Sequence, residues 1–229
     1  MENNDNFQLN IDSEPQVADA TQTADPQKRK INKFWDILIW VLIAILALAV
    51  LIRAFVFTNV TISGASMEET YHGNDVVRVV KIGKPERGDV VVFYKSAVDS
   101  KFKALFAKGD DVKEGGKYEK LIKRVVAVEG DSIWVEPVDG GYRLVVKTAD
   151  GKTLYEDYYK KGGEALSESS FVMSSAVLGQ LVGLTEDNPL VIEKDHFFAM
   201  GDNRGNSEDS RGVLGQVPLD QLFGIVINK

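Results

Sequence analysis

A mostly β domain carried by one N-terminal transmembrane helix is the fold class that this sequence predicts. The helix is indicated by Ile37–Ile52, an uninterrupted run of 16 apolar residues near the N-terminus. The domain is indicated by the short β-branched and aromatic runs that follow, which Gly, Pro and Asp separate. The 172 residues after Phe57 are enough for one domain with its own hydrophobic core.

The apolar run extends, with its apolar flanks, over residues 34–57, and about 20 such residues are needed to cross a membrane. A cleavable signal peptide is a competing interpretation, but its apolar core is usually about 7–15 residues long and precedes a small-x-small cleavage site. Here the run is followed by Arg53, Phe55 and Phe57, which offer no such site. A helix buried in a soluble protein is a further alternative, because such a helix is also apolar on every side.

Basic residues near the ends of the span predict its orientation. Four of them precede it and one lies at its far end: Lys28, Arg29, Lys30 and Lys33, then Arg53. Because excess positive charge stays in the cytoplasm, we expect a single-pass cell-membrane protein with a cytoplasmic N-terminus. Residues 1–33 then form a disordered cytoplasmic tail, residues 34–57 the anchor and residues 58–229 an extracytoplasmic domain.

Strand patterns recur along the domain, at irregular spacing that argues against a solenoid or a propeller. The predicted strands are Phe55–Ile62, Asp75–Val80, Asp89–Tyr94, Lys120–Val128, Ser132–Val135, Tyr142–Lys147, Leu190–Ile192, His196–Met200 and Leu222–Ile227. Two polar segments, residues 96–119 and 148–188, interrupt the pattern and are predicted to be insertions. Inside the second, Leu178–Leu184 fits either a helix or a strand.

Composition excludes several classes of function. The chain has a net charge of −7, of which the residues after Phe57 carry −5 (22 basic, 27 acidic), so nucleic acid is a poor partner. The absence of cysteine excludes disulfides, thiolate metal sites and cysteine nucleophiles. The two histidines, His72 and His196, are interpreted as structural, and no HExxH or GK[ST] motif supports a zinc or nucleotide site.

One lysine lies in an unusually apolar segment, Leu121–Val128. Strand alternation places Lys123 on one face with Val125 and Ala127, and Arg124 on the opposite face. One interpretation is an edge strand whose charges prevent aggregation. The functional interpretation is that apolar surroundings lower the pKa of the lysine, so that its neutral amine can act as a base.

A lysine base needs a nucleophile, and Ser66 is the candidate. It lies in Ser63–Met67, a turn of small residues that can expose a hydroxyl and present backbone N–H groups to a substrate oxygen. A second loop, Met200–Gly212, consists largely of Gly, Asn, Asp, Ser and Arg. Its Arg and Asp side chains offer bidentate pairs that would make the loop rigid, so that its serines can orient a lysine amine.

Together these segments resemble the bacterial type I signal peptidases, the membrane-anchored Ser/Lys proteases that remove signal peptides from exported proteins. The resemblance lies in four motifs in the family's order, namely Ser66-Met67, Arg87–Phe93, Lys123–Val125 followed by Gly130-Asp131, and Gly201–Arg211. The chain departs from the family at Glu69 and Tyr71, where Pro and Leu are usual. Gly64 stands where some members carry a hydroxyl that donates to the oxyanion.

The resemblance implies an all-β catalytic core of coiled antiparallel sheets that uses neither metal nor cofactor. It implies Ser66 as the nucleophile and Lys123 as the general base, acting on exported precursors after small-x-small sequences. Five residues would support them, with Ser207 orienting the amine, Asp209 and Arg211 forming a salt bridge, and Asp202 and Arg124 in structural roles. Four residues would line the substrate pockets: Ile62, Met67, Leu121 and Ile122.

The partners implied are precursors that carry a signal peptide, together with membrane lipid. Two other functions stay open on the sequence. The first is another Ser/Lys processing peptidase, of the conjugative-pilus or self-cleaving repressor type, although the anchor argues against a repressor. The second is a non-catalytic, membrane-anchored scaffold of an export or pilus-assembly system.

Overall fold

The structure, a computed structural model, describes residues 26–98, 104, 107, 109–157, 165–167 and 171–227. The chain divides into two compact units, residues 1–48 and 49–229. Residues 1–25 of the predicted cytoplasmic tail lie outside the described residues, whereas residues 26–33 are helical.

Helix α1 spans Pro26–Val56 and contains the predicted membrane segment. Its stretch Lys33–Val56 has a mean hydropathy of 2.9 over its most apolar part and none of that part is buried. The alternative of a helix buried in a soluble protein is therefore wrong. With a rise of about 1.5 Å per residue, this stretch is long enough to cross a hydrocarbon layer about 30 Å thick, which suggests that the chain is anchored in a membrane.

The described residues contain eleven strands, and every pair of neighbours is antiparallel. They are β1 (Phe57–Thr61), β2 (Val76–Val80), β3 (Val90–Tyr94), β4 (Lys120–Val128), β5 (Ser132–Val138), β6 (Gly141–Lys147), β7 (Thr153–Tyr155), β8 (Leu190–Val191), β9 (His196–Met200), β10 (Val217–Pro218) and β11 (Leu222–Val226). One sheet has the order β1-β2-β11-β3-β4-β9-β10 and the other β7-β6-β5-β8. The predicted mostly β fold is confirmed.

Nine of these strands match the predicted ones, and the differences have local causes. Strand β1 begins only at Phe57, because α1 continues through Val56. Strands β7 and β10 were not predicted, since β7 lies in a polar segment and β10 is two residues long. The segment Leu178–Leu184 forms neither a regular helix nor a strand but contains a short 3₁₀ turn, Gly179–Leu181.

Strand β4 connects the hydrophobic clusters of the domain. Ile122 packs in a cluster with Val90 and Val92, whereas Val125 packs in another with Val91 and Phe93. A bulge opposite β9 falls between Val125 and Ala127. Beyond it the alternation is reversed, because Ala127 packs beside Val126 and Val128 joins the cluster of Val125. The prediction that Ala127 shares a face with Lys123 and Val125 is therefore wrong.

Both predicted insertions contribute buried residues to the core. In the first, Ala104 and Tyr118 are buried against Tyr94. In the second, three residues are buried in the cluster that also contains Ile133 of β5 and Ile192, namely Met173, Leu178 and Leu181. These segments therefore contribute to the packing of the domain.

Candidate active site

Lys123 lies on β4, a strand that has β3 and β9 as its neighbours in the large sheet. Strand β4 is hydrogen-bonded to β3 on one side and, from Arg124 onward, to β9 on the other. The side chain is held within the protein, and Lys123 as a whole is only 3% exposed. Its amine donates to the Ser66 hydroxyl at 2.7 Å and to the carbonyl of Ile122 at 3.0 Å. Because the side chain is buried, the interpretation of Lys123 as a gatekeeping charge exposed at a sheet edge is wrong.

Burial lowers the pKa of Lys123 from 10.5 to about 8. The carboxylates of Asp209 and Glu208 act in the opposite direction, since negative charge stabilises the ammonium form, while Arg211 lowers the pKa further. Desolvation is the largest of these effects because an ammonium ion loses its hydration when it is enclosed. At pH 7 about one amine in ten is then neutral, against roughly one in 10³ for an exposed lysine.

Ser66 lies in the turn between β1 and β2, which is closed by backbone hydrogen bonds. Ile62 closes its base, because its N–H donates to the carbonyl of Asp75 and its carbonyl accepts the N–H of Asn74, both at 2.9 Å. Gly64 has φ +81°, a left-handed conformation that favours glycine. This turn brings the Ser66 hydroxyl to Lys123 across 57 residues of sequence.

Met67 stabilises this turn through packing and backbone hydrogen bonds. It is 1% exposed and packs in a hydrophobic cluster with Tyr71, Val77 and Val79. The N–H groups of Thr70 and Tyr71 both donate to its carbonyl, each at 2.8 Å. Met67 is thus a core residue and is not among the residues that line the cleft beside Ser66, whereas the other three predicted pocket residues are. Tyr71, which replaces the family's usual Leu, is buried in the same cluster at 3% exposure.

The loop after β9, residues 201–212, contacts the Ser66 turn directly. The backbone N–H of Asn203 donates to the carbonyl of Ser66, and its side-chain amide donates to the carbonyl of Ala65, both at 3.1 Å. Sequence reasoning did not single out Asn203. The sequence shows that Asn203 lies in a polar loop, but its contacts with the Ser66 turn depend on how the two loops pack.

Two buried ion pairs stabilise this arrangement. Arg124 holds Asp202 with Nε–Oδ1 and Nη2–Oδ2 distances of 2.8 and 2.7 Å, and the hydroxyl of Thr70 donates to the same carboxylate at 2.5 Å. Arg211 holds Asp209 with Nε–Oδ1 and Nη2–Oδ2 distances of 2.9 and 2.8 Å. Both contacts are bidentate, a geometry that fixes orientation as well as charge.

The carboxylate of Asp209 is the main charged neighbour of the lysine amine. It also accepts the backbone N–H of Gly201 at 3.0 Å. Burial raises the pKa of Asp209, but the hydrogen bonds and charge of Arg211 outweigh this effect and hold the pKa below its usual value. Asp209 is therefore ionised at neutral pH.

Ser207 lies close to the Ser66 turn, but its predicted contact with Lys123 is not formed in this structure. Its hydroxyl is buried and lies close enough to Asp209 to help lower the pKa of that carboxylate. A methyl group added at Gly201 would overlap both this hydroxyl and the carbonyl oxygen of Ser66. Ser207 is thus packed between the loop and the nucleophile turn.

An open cleft of about 330 Å³ lies beside Ser66 and Lys123. Ile62, Leu121 and Ile122, three of the predicted pocket residues, line it. Its rim includes Val112 and Glu114, which come from the segment predicted to be the first insertion. In the described part of the chain, no cluster of three or more His, Cys, Asp or Glu side chains is arranged to hold a metal ion.

Comparison with known proteins identifies the family. Residues 35–228 match the family described as Signal peptidase, peptidase S26. A Signal peptidase I of Bacillus amyloliquefaciens is 31% identical over 86% of this chain and 85% of the relative. Signal peptidase I S of Bacillus subtilis (strain 168) is 30% identical over 86% of this chain and 91% of the relative.

A crystal structure of a signal peptidase I from Enterococcus faecalis V583 matches with a TM-score of 0.35 and 23% identity, over 64% of this chain and 99% of that one. The family assignment follows from the sequence matches, which run through the apolar helix and nearly the whole β domain. The chain belongs to the signal peptidase family, peptidase S26.

Proposed function

We propose that this signal peptidase cleaves its precursors with Ser66 as the nucleophile and Lys123 as the general base. Cleavage of signal peptides is the activity of its family. The assignment of roles within this chain rests on one observation. The only groups that the amine of Lys123 contacts by hydrogen bonds in the described residues are the Ser66 hydroxyl, at 2.7 Å, and a backbone carbonyl.

The reaction would begin with the neutral amine accepting the Ser66 proton along this hydrogen bond. Ser66 Oγ then attacks the scissile carbonyl, and the backbone N–H of Ser66 is the proposed donor to the oxyanion that forms. The protonated amine returns its proton to the leaving nitrogen, which releases the mature protein. A water molecule activated by the same amine then hydrolyses the acyl-enzyme and releases the signal peptide.

The cleft suits an extended peptide. Residues 120–123 of β4 pair with β3 alone, since pairing with β9 starts at Arg124. One edge of this stretch can therefore hydrogen-bond to a substrate backbone, in the manner of an added strand. Ile62 and Ile122, which are 3% and 7% exposed, would form shallow apolar walls for small side chains before the scissile bond.

The loop residues are proposed to hold the lysine amine in place. Asp209 is kept ionised and oriented by Arg211, and Asp202 is fixed by Arg124. The Ser207 hydroxyl lies beside the Ser66 turn at Gly201 and is proposed to orient the amine when Ser66 leaves its hydrogen bond to attack the substrate.

We further propose that residues 1–33 are cytoplasmic, that residues 34–57 cross the cell membrane once, and that residues 58–229 form the extracytoplasmic peptidase domain. The support is the excess of basic residues before the span. The partners of the protein at the membrane would be signal-peptide-bearing precursors and membrane lipid. Nucleic acid is not expected to bind.

The test is cleavage of a purified precursor with an Ala-x-Ala site by the full-length enzyme in detergent. We expect Ser66→Ala and Lys123→Ala each to abolish cleavage, because either change removes one of the two groups that exchange the proton. Matched controls are Ser174→Ala and Lys147→Ala, whose side chains lie on the surface and should leave the rate unchanged. Substantial cleavage by a folded Ser66→Ala or Lys123→Ala protein would refute the assignment and favour a different catalytic pair.

A further inference from the structure

We propose that Glu156 is a positioning residue for the reaction, because it holds the loop 201–212 from outside through Arg204. This inference rests on the proposed roles of Ser66 and Lys123. Glu156 directly follows β7 and lies in the polar segment 148–188, far in sequence from every motif that the family resemblance includes. Glu156 forms no hydrogen bond to Ser66 or Lys123 in the described residues.

The carboxylate of Glu156 and the guanidinium of Arg204 form a bidentate pair. The Oε1–Nη2 distance is 2.5 Å and the Oε2–Nη1 distance is 2.7 Å. The two side chains are 1% and 3% exposed, and Phe171 packs against the guanidinium with its ring centroid 5.6 Å away. The pair is therefore enclosed, and its geometry allows one orientation of Arg204.

Arg204 transmits this constraint along the loop in two directions. Its Nε donates to the carbonyl of Gly201 at 3.0 Å. Its own carbonyl accepts Nη1 of Arg211 at 2.8 Å. The first contact fixes the start of the loop, where it contacts the Ser66 turn, and the second fixes the arginine that orients Asp209.

The constraint ends at the lysine amine. Arg211 holds both oxygens of Asp209, and Asp209 is the charged group with the largest effect on the pKa of Lys123. Gly201 also donates its N–H to Asp209. A displacement of Arg204 would therefore move Asp209 and the loop backbone relative to Ser66 and Lys123.

An enclosed ion pair is weak evidence for a role in stability, because well-packed apolar residues of similar size often replace such a pair without loss. What an apolar pair does not reproduce is a single bidentate orientation. The Glu156–Arg204 pair is therefore assigned to the geometry of the loop.

The test compares Glu156→Gln with the wild type at a temperature where both are folded, using the full-length enzyme and the same precursor. The amide keeps the shape of Glu156 but turns one acceptor into a donor that faces the guanidinium. We expect kcat to fall about 10- to 100-fold, since a small misplacement of a catalytic group has effects of that size. KM should stay within about twofold, because no contact in the cleft is changed.

The matched control is Glu186→Gln. Glu186 lies in the same segment but forms an exposed contact with Lys147 at 3.8 Å, and its loss should leave kcat unchanged. The second readout combines Glu156→Gln with Asp209→Asn. If Glu156 acts through Asp209, the double variant should be about as slow as Asp209→Asn alone, whereas independent effects would multiply.

Where Glu156→Gln lowers the folded fraction, the paired variant Glu156→Met with Arg204→Met removes both charges and should fold. We expect its kcat to be reduced by the same 10- to 100-fold as well (about 1.4–2.7 kcal/mol at 1.36 kcal/mol per factor of ten). A folded Glu156→Gln or paired variant with the kcat of the wild type, or an effect that multiplies with that of Asp209→Asn, would overturn the proposal. If instead Ser66→Ala and Lys123→Ala retain cleavage, the proposed function itself fails, so the two failures are distinguishable.

Discussion

The amine of Lys123 carries the chemistry of the proposed site because it is poorly solvated. Burial brings its pKa to about 8, although Asp209 and Glu208 favour the charged form. A lysine in water would be almost wholly protonated at neutral pH and unable to accept the proton of a serine. The nearby carboxylates keep the shift moderate, which matches a base that works near physiological pH.

This pKa predicts the pH dependence of cleavage. The base must be neutral, so kcat/KM should rise about tenfold per pH unit below pH 8 and approach a plateau near pH 9. Ser207→Ala should lower the plateau by about tenfold, because the amine is less well oriented. It should leave the midpoint nearly unchanged, since Ser207 is not among the groups that shift the pKa of Lys123.

The measurement is a series of initial rates of precursor cleavage between about pH 5 and 11. A rate that still climbs through about pH 10.4 would mean that the lysine is not desolvated. A maximum below about pH 6 would indicate a carboxylate or one of the histidines as the essential base.

At the scale of elements, the site forms where the turn between β1 and β2 meets the loop after β9. Gly201 is at the point of contact, with the Ser66 carbonyl and the Ser207 hydroxyl so close that no side chain fits there. Its φ is not in the left-handed region. Glycine is thus required at this position by the close approach of two segments.

We predict that Gly201→Ala lowers kcat by about 100-fold or more, because the added methyl group must push the loop away from Ser66. The packing strain should also cost about 1–3 kcal/mol of unfolding free energy. Gly205→Ala is the matched control in the same loop, where a methyl group would meet nothing within 4 Å. Rates of precursor cleavage and chemical denaturation of each variant measure both effects. Equal rates for the two variants would show that the contact at Gly201 does not hold the site.

At the scale of the whole molecule, one chain combines an apolar helix with a β peptidase domain. The helix Lys33–Val56 is long and apolar enough to span a bilayer. Substrates of the family carry apolar signal peptides themselves. Anchoring in the same membrane would raise the local concentration of enzyme around such precursors, which is the advantage of confining both partners to one surface.

The orientation of the anchor is testable with epitopes. Protease is added to cells whose cell envelope outside the cytoplasmic membrane is permeable but whose cytoplasmic membrane is intact. It should destroy an epitope placed after Phe57. It should spare one within residues 1–27, because the four basic residues before the span are expected to keep that end in the cytoplasm. Detergent lysis should expose both epitopes. Loss of the N-terminal epitope while the membrane is intact would show that the orientation is the reverse of the proposed one, and would exclude catalysis on the outer side.

Much of this protein was predictable because its signals are local. The apolar run with its flanks, residues 34–57, indicates a membrane helix by length alone. Period-two patterns between turn residues located nine of the strands. Ser66 and Lys123 were predicted as candidates because their segments have unusual compositions for a turn and a strand, and because their order matched a known family.

Other features were decided only by the tertiary structure, since they depend on segments that are distant in sequence. The bulge opposite β9 reversed the side on which Ala127 packs, and the core enclosed Met67 that had been expected in a pocket. The contacts of Asn203 with the Ser66 turn and of Glu156 with Arg204 cannot be predicted from local composition. The sequence by itself determined which residues prefer strands, turns and the membrane. The packing of distant loops decided which of them meet, because buried polar groups must find their partners across the fold.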